Sequence, residues 1–495
     1  MRMLISAIIS IAIAICIGSA LSKGSEIRRN GKKLRRPPYT LPLVGNGILF
    51  LHARHKLFSW FVKCERRFGW ETFEISVPSL PPGVVINDPK NLEYVLKNEG
   101  IFAKGDFFKR RSWDLFGNGI INADGDLWKV QRKAGLNFLN ASNLKVLTDV
   151  ALPKYLEETL AQLRIVVDCK TIDLEAVFHE LTTKLMGRMA YNMDMRSGDP
   201  FSLAFEYASG ATGERFQNPL WRVTEIVLGG RFRSSIAKVK AFGTDIVSNA
   251  VKARQEKYQV NNEQNSMESI SGSLINSLLD SIDDHQMVAD AALNYLSAGR
   301  DTTAQALTWT FYLLMRHPRV IDSARREAAS LAKEGPHRNS TTYKPTTVPY
   351  IMAIFYEALR LYPPVPFELK QCEKATTLPD GTFLPKHAVL VWCPWAMNRS
   401  TLIWGEDADD FRPERWLEDG ILISKTAFEY PVFNGGPRTC LGKKMAEALA
   451  AQVIATLVVN CNFSLVDQKE RISKNSLTLP MEGGLPCRVS IIASA

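Results

Sequence analysis

The 495-residue chain lacks the cysteine pattern of a disulfide-stapled or zinc-binding protein. It contains no CxxC pair and no short-spaced cysteine cluster. Its eight cysteines are scattered at positions 16, 64, 169, 372, 393, 440, 461 and 487. Small secreted domains and zinc ribbons space their cysteines closely instead. The pattern therefore predicts reduced thiols in a protein that faces the cytosol.

Low-complexity sequence and internal repeats are absent as well. The chain is 46% hydrophobic and 23% charged, so it has enough apolar material for a large core. This composition excludes a disordered or collagen-like polypeptide. There is no flavin or nicotinamide fingerprint and no appended reductase domain. Any electrons that the protein uses are therefore expected to come from another protein.

The net charge of +10 is concentrated near the start of the chain. Residues 23–36 hold seven basic residues and one acidic residue, a net charge of +6. A nucleic-acid-binding protein would instead carry a basic face on its folded domain. Directly before this cluster, residues 3–22 are uncharged and rich in Ile, Ala and Leu. Twenty helical residues span roughly 30 Å, the thickness of a bilayer's hydrocarbon core.

We therefore predict a transmembrane anchor at 3–22, a basic and proline-rich linker at 23–49, and a catalytic domain at 50–495. The alternative is a cleaved signal peptide with a small-residue site near Ala20. The basic cluster favours the anchor, because it would resist translocation and keep the following domain in the cytosol.

Helical periodicity dominates the remaining sequence. It predicts helices at 54–68, 89–98, 126–139 and 142–164, and a hairpin at 72–86. Residues 286–317 form a long apolar stretch with Arg300 and Asp301 at its centre, where burial in lipid is expensive. We predict a buried core helix there, not a second membrane span. The predicted fold class is mainly α with a small β portion, in a single large domain.

The strongest local signal is Phe433-Asn-Gly-Gly-Pro-Arg438-Thr-Cys440-Leu-Gly442, followed by a helical run from Lys443. The Gly-Gly-Pro turn delivers Cys440 to a helix N-terminus, whose backbone N–H groups and dipole favour a thiolate. Gly442 removes a side chain where a flat partner would press against the helix. Arg438 can reach a carboxylate of that partner. A lone buried cysteine is usually a small hydrophobe, but these neighbours argue against that here.

This segment resembles the haem-binding loop of the cytochrome P450 superfamily, the haem-thiolate monooxygenases. The resemblance implies a P450-type fold and haem b, iron protoporphyrin IX, with Cys440 as the axial thiolate ligand of the metal. Phe433 and Arg438 are then cofactor-binding residues. It also implies NADPH-cytochrome P450 reductase, in some cases with cytochrome b5, as electron donor. The expected location is the endoplasmic reticulum membrane, single-pass, with the catalytic domain cytosolic.

Three further motifs match the superfamily in the same chain order. Ala298-Gly-Arg-Asp-Thr-Thr303 resembles its oxygen-activation motif. By this resemblance Gly299 leaves room for dioxygen, Thr302 offers it a hydroxyl, and Asp301 relays protons through water. On its own, an Asp-Thr-Thr sequence in a helix would be commonplace.

The other two motifs concern the frame of the site. Glu357 and Arg360 share one helical face and match Glu-x-x-Arg, and Arg415 supplies the third member of the network that the superfamily uses. We expect a structural role for these three. Trp128 and Arg132, four residues apart, resemble the pair that hydrogen-bonds a haem propionate.

One position departs from the superfamily pattern. Many relatives have an arginine that contacts a propionate four residues after Pro-x-Pro, but this chain has Lys370, a point charge without the guanidinium fork. Glu368, two residues earlier, could instead face the substrate.

The motifs look most like the fungal alkane and fatty-acid hydroxylase branch, which implies an apolar substrate. It is either a fatty-acid-like or alkane-like chain or a fungal secondary-metabolite intermediate. The resemblance places the pocket along residues 105–122, 294–302, 365–369 and 479–485, with aromatic residues Phe107, Phe108, Trp113 and Phe116 and with Leu115.

Two alternatives to a monooxygenase remain open. One is a haem-thiolate isomerase or peroxygenase that acts on hydroperoxides, although such proteins often lack the Asp-Thr pair. The other is a non-catalytic membrane haem-binding protein. For the monooxygenase, we expect the lysines beside the cysteine to dock an acidic reductase. They are Lys129, Lys133, Lys443 and Lys444.

Overall fold

The computed structural model describes residues 26–492, apart from residues 43, 78–79, 166–170, 257–270 and 333–342. The predicted anchor at 3–22 lies outside these residues. Across the described part of the chain, no helix is both long and apolar enough to cross a bilayer. The described residues confirm the predicted fold class, which is mainly helical with small sheets.

The helices follow the predicted pattern closely. In chain order they are α1 (Gly47–Phe50), α2 (Arg54–Phe68), α3 (Pro89–Lys97), α4 (Gly105–Phe116), α5 (Gly125–Phe138), α6 (Ala141–Val146), α7 (Leu152–Ile165), α8 (Leu174–Tyr191), α9 (Pro200–Gln217), α10 (Trp221–Leu228), α11 (Gly230–Glu256), α12 (Ser273–Leu279), α13 (His285–Arg316), α14 (Pro318–Ala332), α15 (Pro349–Leu361), α16 (Pro394–Met397), α17 (Thr401–Trp404) and α18 (Lys443–Asn460). The helix predicted at 142–164 is confirmed with one interruption, a π-helical turn at Leu147–Ala151 between α6 and α7.

The strands form small sheets at the edges of the helical body. The four-stranded sheet has the order β2 (Lys32–Lys33), β1 (Arg28–Arg29), β9 (Thr382–Leu384), β8 (Thr376–Thr377). The five-stranded sheet has the order β3 (Phe73–Ile75), β4 (Gly83–Val85), β10 (Val389–Trp392), β7 (Glu368–Cys372), β5 (Phe102–Ala103). A three-stranded sheet has the order β13 (Cys461–Leu465), β14 (Pro486–Ile491), β6 (Thr171–Asp173), and a two-stranded sheet pairs β11 (Leu417–Glu418) with β12 (Ile421–Leu422). The predicted hairpin is confirmed as β3 paired antiparallel with β4. Strand β10 pairs parallel with β4 and antiparallel with β7, with Leu390 opposite Lys370.

Part of the segment predicted as a linker packs on the domain. Strand β1 pairs antiparallel with β9, with Arg28 opposite Phe383. Strand β1 also pairs antiparallel with β2. Ile27, directly before β1, and Leu34, directly after β2, are buried. These residues therefore contribute apolar surface to the edge of the core.

The predicted core helix at 286–317 is confirmed as α13, and most of its residues are buried. It packs against α8, α11 and α15. Its burial is interrupted in the middle, where Ala298 is exposed and Gly299 and Thr302 are half-buried. Between its exposed ends, this helix therefore has exposed surface at the turn that carries the polar motif.

Candidate active site

The loop before α18 holds Cys440 in one defined backbone position. The backbone N–H of Cys440 donates a hydrogen bond to the carbonyl oxygen of Phe433 at 2.7 Å. Gly436 has φ +62°, and a Cβ there would lie 2.4 Å from the carbonyl oxygen of Leu96. Only glycine therefore allows this loop to approach α3 so closely.

Cys440 is an exposed residue, in contrast to the other described cysteines, which are buried. The six described cysteines are free, as expected. Next to Cys440, a Cβ added at Gly442 would have only the sulfur within 4 Å, at 3.9 Å. Gly442 therefore borders open space beside the sulfur, as a flat ligand pressed against α18 would require.

The protein groups around the sulfur act on its pKa in both directions. Desolvation in this concave surrounding is the largest effect and raises the pKa of the Cys440 thiol. Backbone N–H groups of Gly442 and Lys443 and the charge of Arg132 act to lower it. The predicted helix-terminus effect is present, but it is outweighed by desolvation. The backbone N–H groups at the start of α18 therefore act in the predicted direction, towards the thiolate.

The structure brings Trp128, Arg132 and Arg438 together beside the cysteine loop. The guanidinium carbon of Arg438 lies 4.0 Å from the centre of the Trp128 ring, and that of Arg132 lies 5.4 Å from it. Arg132 donates from Nη1 to the carbonyl oxygen of Thr439 at 2.9 Å. The two arginines predicted to bind carboxylates of a cofactor therefore flank one buried aromatic ring next to Cys440.

Arg438 has protein partners that the sequence did not indicate. Its guanidinium donates to the Ala123 carbonyl oxygen at 2.9 Å and to Asp124 Oδ1 at 3.0 Å, and it also pairs with Glu99. Glu99 and Asp124 are more than 300 residues away in the chain, so no local motif could have revealed them. These contacts fix the orientation of Arg438, and its contact with a haem propionate stays a prediction.

Lys370 is a buried cation beside this cluster. It is 3% exposed, and its ammonium donates to the carbonyl oxygen of Phe102 at 3.3 Å. Burial, with the nearby charges of Lys104 and Arg438, lowers the pKa of Lys370 to about 8. Within the described residues no carboxylate lies within 4.0 Å of its Nζ. A carboxylate from a ligand would offset the cost of this buried charge.

On α13, Thr302 lies at the turn that meets open space. Its hydroxyl donates to the Ala298 carbonyl oxygen at 2.6 Å. With that proton engaged, Oγ1 offers lone pairs to a hydrogen-bond donor on its open side. Thr302 is therefore placed to accept a hydrogen bond from a donor such as water. It can donate a hydrogen bond to a ligand only by giving up its bond to Ala298.

The space freed by Gly299 is used by helix packing. A Cβ at this position would lie 2.7 Å from the sulfur of Met186 on α8. The lack of a side chain therefore allows α13 to approach α8. The predicted role of Gly299, room for dioxygen, stays a prediction. The residue of this turn with an exposed surface is Ala298.

Asp301 is buried in a charged cluster between α8, α9 and α13. Its Oδ1 accepts from Arg300 Nε at 2.7 Å and lies 3.8 Å from His179 Nδ1. Arg300 also donates to the hydroxyl of Ser202 at 3.0 Å. Burial lowers the pKa of His179, and the Asp301 charge opposes this shift. His179 is a proton-carrying neighbour of Asp301 that the sequence did not suggest.

The expected frame around Glu357 is present and fully buried. Glu357 and Arg360 are each 0% exposed and share two hydrogen bonds of 2.8 Å. Arg415 Nε and Trp416 Nε1 donate to the same carboxylate at 3.1 and 2.9 Å. Burial alone would raise the pKa of Glu357, but these hydrogen bonds, those from Arg360 first, lower it. This network holds α15 to the segment before the cysteine loop, so it stabilises the frame of the site.

An apolar cavity of about 170 Å³ lies between α2, the β3–β4 hairpin, α4, the end of α9 and β7. Of the predicted lining, Phe107, Phe108 and residues 367–369 are present, including Glu368. Trp113, Leu115 and Phe116 do not line this cavity: Trp113 is 48% exposed, and Leu115 and Phe116 belong to the core. Residues 294–302 and 479–485 do not line it either. The lining from α2, the hairpin and Phe216 was missed.

The family is decided by comparison with known proteins. The family model described as "Cytochrome P450" matches residues 36–487. The chain belongs to the cytochrome P450 family. Family members bind haem through a cysteine thiolate, and the homologues are monooxygenases. They generally use a redox partner and bind an organic substrate.

Similar curated P450 proteins come from plants and from a fungus. Cytochrome P450 86B1 of Arabidopsis thaliana is 32% identical over 422 residues, 80% of this chain and 75% of that protein. Cytochrome P450 CYP94D108 of Paris polyphylla is 30% identical over 482 residues, 92% of this chain and 93% of that protein. Cytochrome P450 monooxygenase cyp1 of Mycosarcoma maydis is 30% identical over 505 residues, 92% of this chain and 76% of that protein.

The residues of this P450 fit a haem. Cys440 is exposed, and its sulfur lies beside the open space at Gly442, which suits an iron ligand next to a flat ring. Arg132, Arg438 and Lys370 form the cationic group that two propionates would require. Helix α13, which carries Thr302, packs against α18, which begins directly after the Cys440 loop.

Proposed function

We propose that this P450 is a membrane-anchored monooxygenase that takes NADPH-derived electrons from a reductase and oxidises an apolar small molecule. It hydroxylates a C–H bond or epoxidises an alkene. The substrate is a fatty-acid-like or alkane-like chain, or a fungal secondary-metabolite intermediate. The observation that carries the proposal is the exposed residue Cys440, whose sulfur lies beside Gly442 at the start of α18.

Each group of residues has a separate task. A haem bound through a cysteine thiolate supplies the chemistry that activates dioxygen. Arg132, Arg438 and Lys370 bind and orient its carboxylates. The Thr302 hydroxyl positions water at the open turn of α13, and Asp301 with His179 holds protons behind it. The apolar cavity binds the substrate and excludes water.

Electron delivery is assigned to the surface on the cysteine side. Lys129, Lys133, Lys443 and Lys444 are exposed. Lys443 and Lys444 begin α18, three and four residues after Cys440. An acidic reductase would be steered to such a surface. With an anchor at 3–22, the domain would lie on the cytosolic face of the endoplasmic reticulum membrane.

The second candidate is a haem-thiolate isomerase or peroxygenase that acts on hydroperoxides. It needs no external electrons and has no use for the Asp301–His179 pair. A non-catalytic haem-binding protein would have no use for the open turn at Thr302. The intact Asp-Thr pair therefore favours the monooxygenase.

The test begins with the cofactor. We expect haem-loaded protein to show the thiolate-type Soret band in its ferrous carbonyl form, and we expect Cys440→Ala to lose that band. Product formation should require NADPH and reductase together. Turnover with hydroperoxide alone would support the isomerase or peroxygenase, and a protein without the band would overturn both enzyme proposals.

A further inference from the structure

Arg54 lines the apolar cavity and is poorly partnered. It is the first residue of α2 and is 6% exposed. Its Nη1 donates to the Thr478 carbonyl oxygen at 3.1 Å, whereas its buried Nε has no hydrogen-bond partner. A guanidinium carries five N–H donors. The side chain therefore brings hydrogen-bonding capacity into the cavity that the described residues do not use.

No counterion compensates this charge. Among the described residues no carboxylate lies within 4.0 Å of the Arg54 guanidinium. Three other buried arginines do have such a partner: Arg215 pairs with Glu225 at 2.6 Å, Arg300 with Asp301 at 2.7 Å and Arg360 with Glu357 at 2.8 Å. Arg111, like Arg54, donates to carbonyl oxygens, but it does not line the cavity. Burial lowers the pKa of Arg54 to about 10, so it remains protonated at neutral pH. A buried cation without a counterion is unfavourable until an anion binds it.

The other residues of the cavity wall indicate the chemistry of the rest of the ligand. Its other charged residue, Glu368, is already paired with Lys104 Nζ at 3.2 Å. Apolar side chains dominate the lining, including Phe50, Leu57, Phe61 and Phe216. One unpaired cation in an apolar cavity is complementary to a molecule with one anionic end and an apolar body. An alkane would leave the cation unpaired, and a polar metabolite would leave the apolar wall unmatched.

We propose that Arg54 is the residue that selects the substrate's end group, by binding the carboxylate of a fatty acid whose chain lies along the apolar wall. A carboxylate accepts two parallel N–H bonds from a guanidinium, which gives both affinity and orientation. The protein then prefers a chain acid to the corresponding alcohol, ester or alkane. This inference rests on the proposed function, because it names the substrate class of the same site.

The experiment compares binding of dodecanoate, dodecanol and methyl dodecanoate to the haem-loaded full chain by isothermal titration calorimetry. We expect the wild type to bind the acid more tightly than the other two. Arg54→Gln should weaken binding of the acid by about tenfold to hundredfold, the range of a charge-assisted hydrogen bond, with the alcohol unchanged. Lys56→Gln removes an exposed positive charge from the same helix and should change neither.

Arg54→Met provides a second variant if Arg54→Gln does not fold, since it keeps an unbranched side chain and removes the buried charge. Equal weakening of acid and alcohol would make Arg54 structural and overturn the proposal. So would an unchanged preference for the acid in either variant, or no preference in the wild type. The ferrous carbonyl band of the same samples reports separately on the proposed function, because calorimetry detects chain binding whether or not that band forms.

Discussion

Arg360 and Arg54 are both buried arginines on helices, yet their surroundings differ. Arg360 makes five hydrogen bonds, to Glu357 and to the carbonyl oxygens of Asn398, Ala408 and Asp410. Its five N–H donors are matched within the chain. Arg54 makes one such bond, to a carbonyl oxygen. A buried cation whose N–H donors all have partners in the chain stabilises the fold. One with unused donors and no counterion is available to a ligand.

The same contrast separates Glu357 from Lys370 in the cationic cluster beside Cys440. The Glu357 carboxylate is shared by Arg360, Arg415 and Trp416. Lys370, equally buried, has a carbonyl oxygen as its hydrogen-bond partner and no carboxylate within 4.0 Å among the described residues. We therefore expect a substitution at Glu357 to change stability and a substitution at Lys370 to change ligand retention.

The largest effect is expected from Glu357→Gln. The substitution leaves Arg360 buried without a counterion, whereas Arg415 keeps its pair with Asp407 at 3.1 Å. Breaking a buried pair costs about 3–5 kcal/mol. The free energy of unfolding, measured in urea by circular dichroism, should fall by that amount. Glu93→Gln breaks the exposed pair with Lys97 and should cost less than about 1 kcal/mol. Similar losses in the two variants would contradict the structural role of the network.

The acid dependence of stability sharpens this prediction. The folded-state pKa of Glu357 is lowered, so its contribution is present above the unfolded value of about 4.3 and is lost as pH falls through the lower folded value. Glu357→Gln lacks a titrating group there. Its unfolding free energy should therefore decline less steeply below about pH 4.3 than that of the wild type.

The next effect concerns the retention of haem. Lys370→Met removes the buried ammonium, so a propionate would lose its partner while the haem-free protein would be no less stable. We expect haem transfer to an acceptor protein to become about tenfold faster, the equivalent of one charge-assisted hydrogen bond. Lys374→Met, at an exposed position, is the control. An unchanged transfer rate would show that Lys370 does not hold the cofactor.

Thr302 and Thr308 allow a similar comparison on α13. Both hydroxyls donate to the carbonyl oxygen four residues earlier, but Thr308 is 0% exposed, whereas Thr302 lies at the open turn. Thr302→Ala should allow NADPH oxidation to continue while product per NADPH falls severalfold and peroxide rises. Thr308→Ala should keep the wild-type ratio. If the two variants formed the same amount of product per NADPH, Thr302 would have no role in proton transfer.

The smallest effect is expected at the surface. Lys443→Gln combined with Lys444→Gln should raise the reductase concentration needed for half-maximal turnover by about twofold at low salt, the range of exposed charge pairs. The difference should disappear at high salt, because ions screen such charges. Lys238→Gln, on the exposed face of α11, should have no effect. A salt-independent difference would argue against electrostatic docking.

Local spacing was enough to predict much of the fold and of the site. The helix at 54–68 and the core helix at 286–317 follow from hydrophobic periodicity, and both are confirmed. Glu357 and Arg360 were paired from their three-residue spacing. One signal was missed: Arg54 lies on the same helical face as Leu57 and Phe58, where an arginine in an apolar stripe indicates a buried cation.

Other features had no signal in the chain. Asp301 meets His179 across more than 100 residues, and Arg438 meets Glu99 across more than 300. The motif suggested a role for Gly299 towards oxygen, but it gave no sign that Met186 on another helix packs against this position.

The sequence by itself determined the helices, the order of the motifs and the cysteine at a helix start, because residues one turn apart share a face wherever the helix is placed. The tertiary structure decided which charges are paired and which are left for a ligand. That choice depends on how segments hundreds of residues apart pack together, since burial sets the cost of each charge and the neighbouring helix determines whether a partner is present.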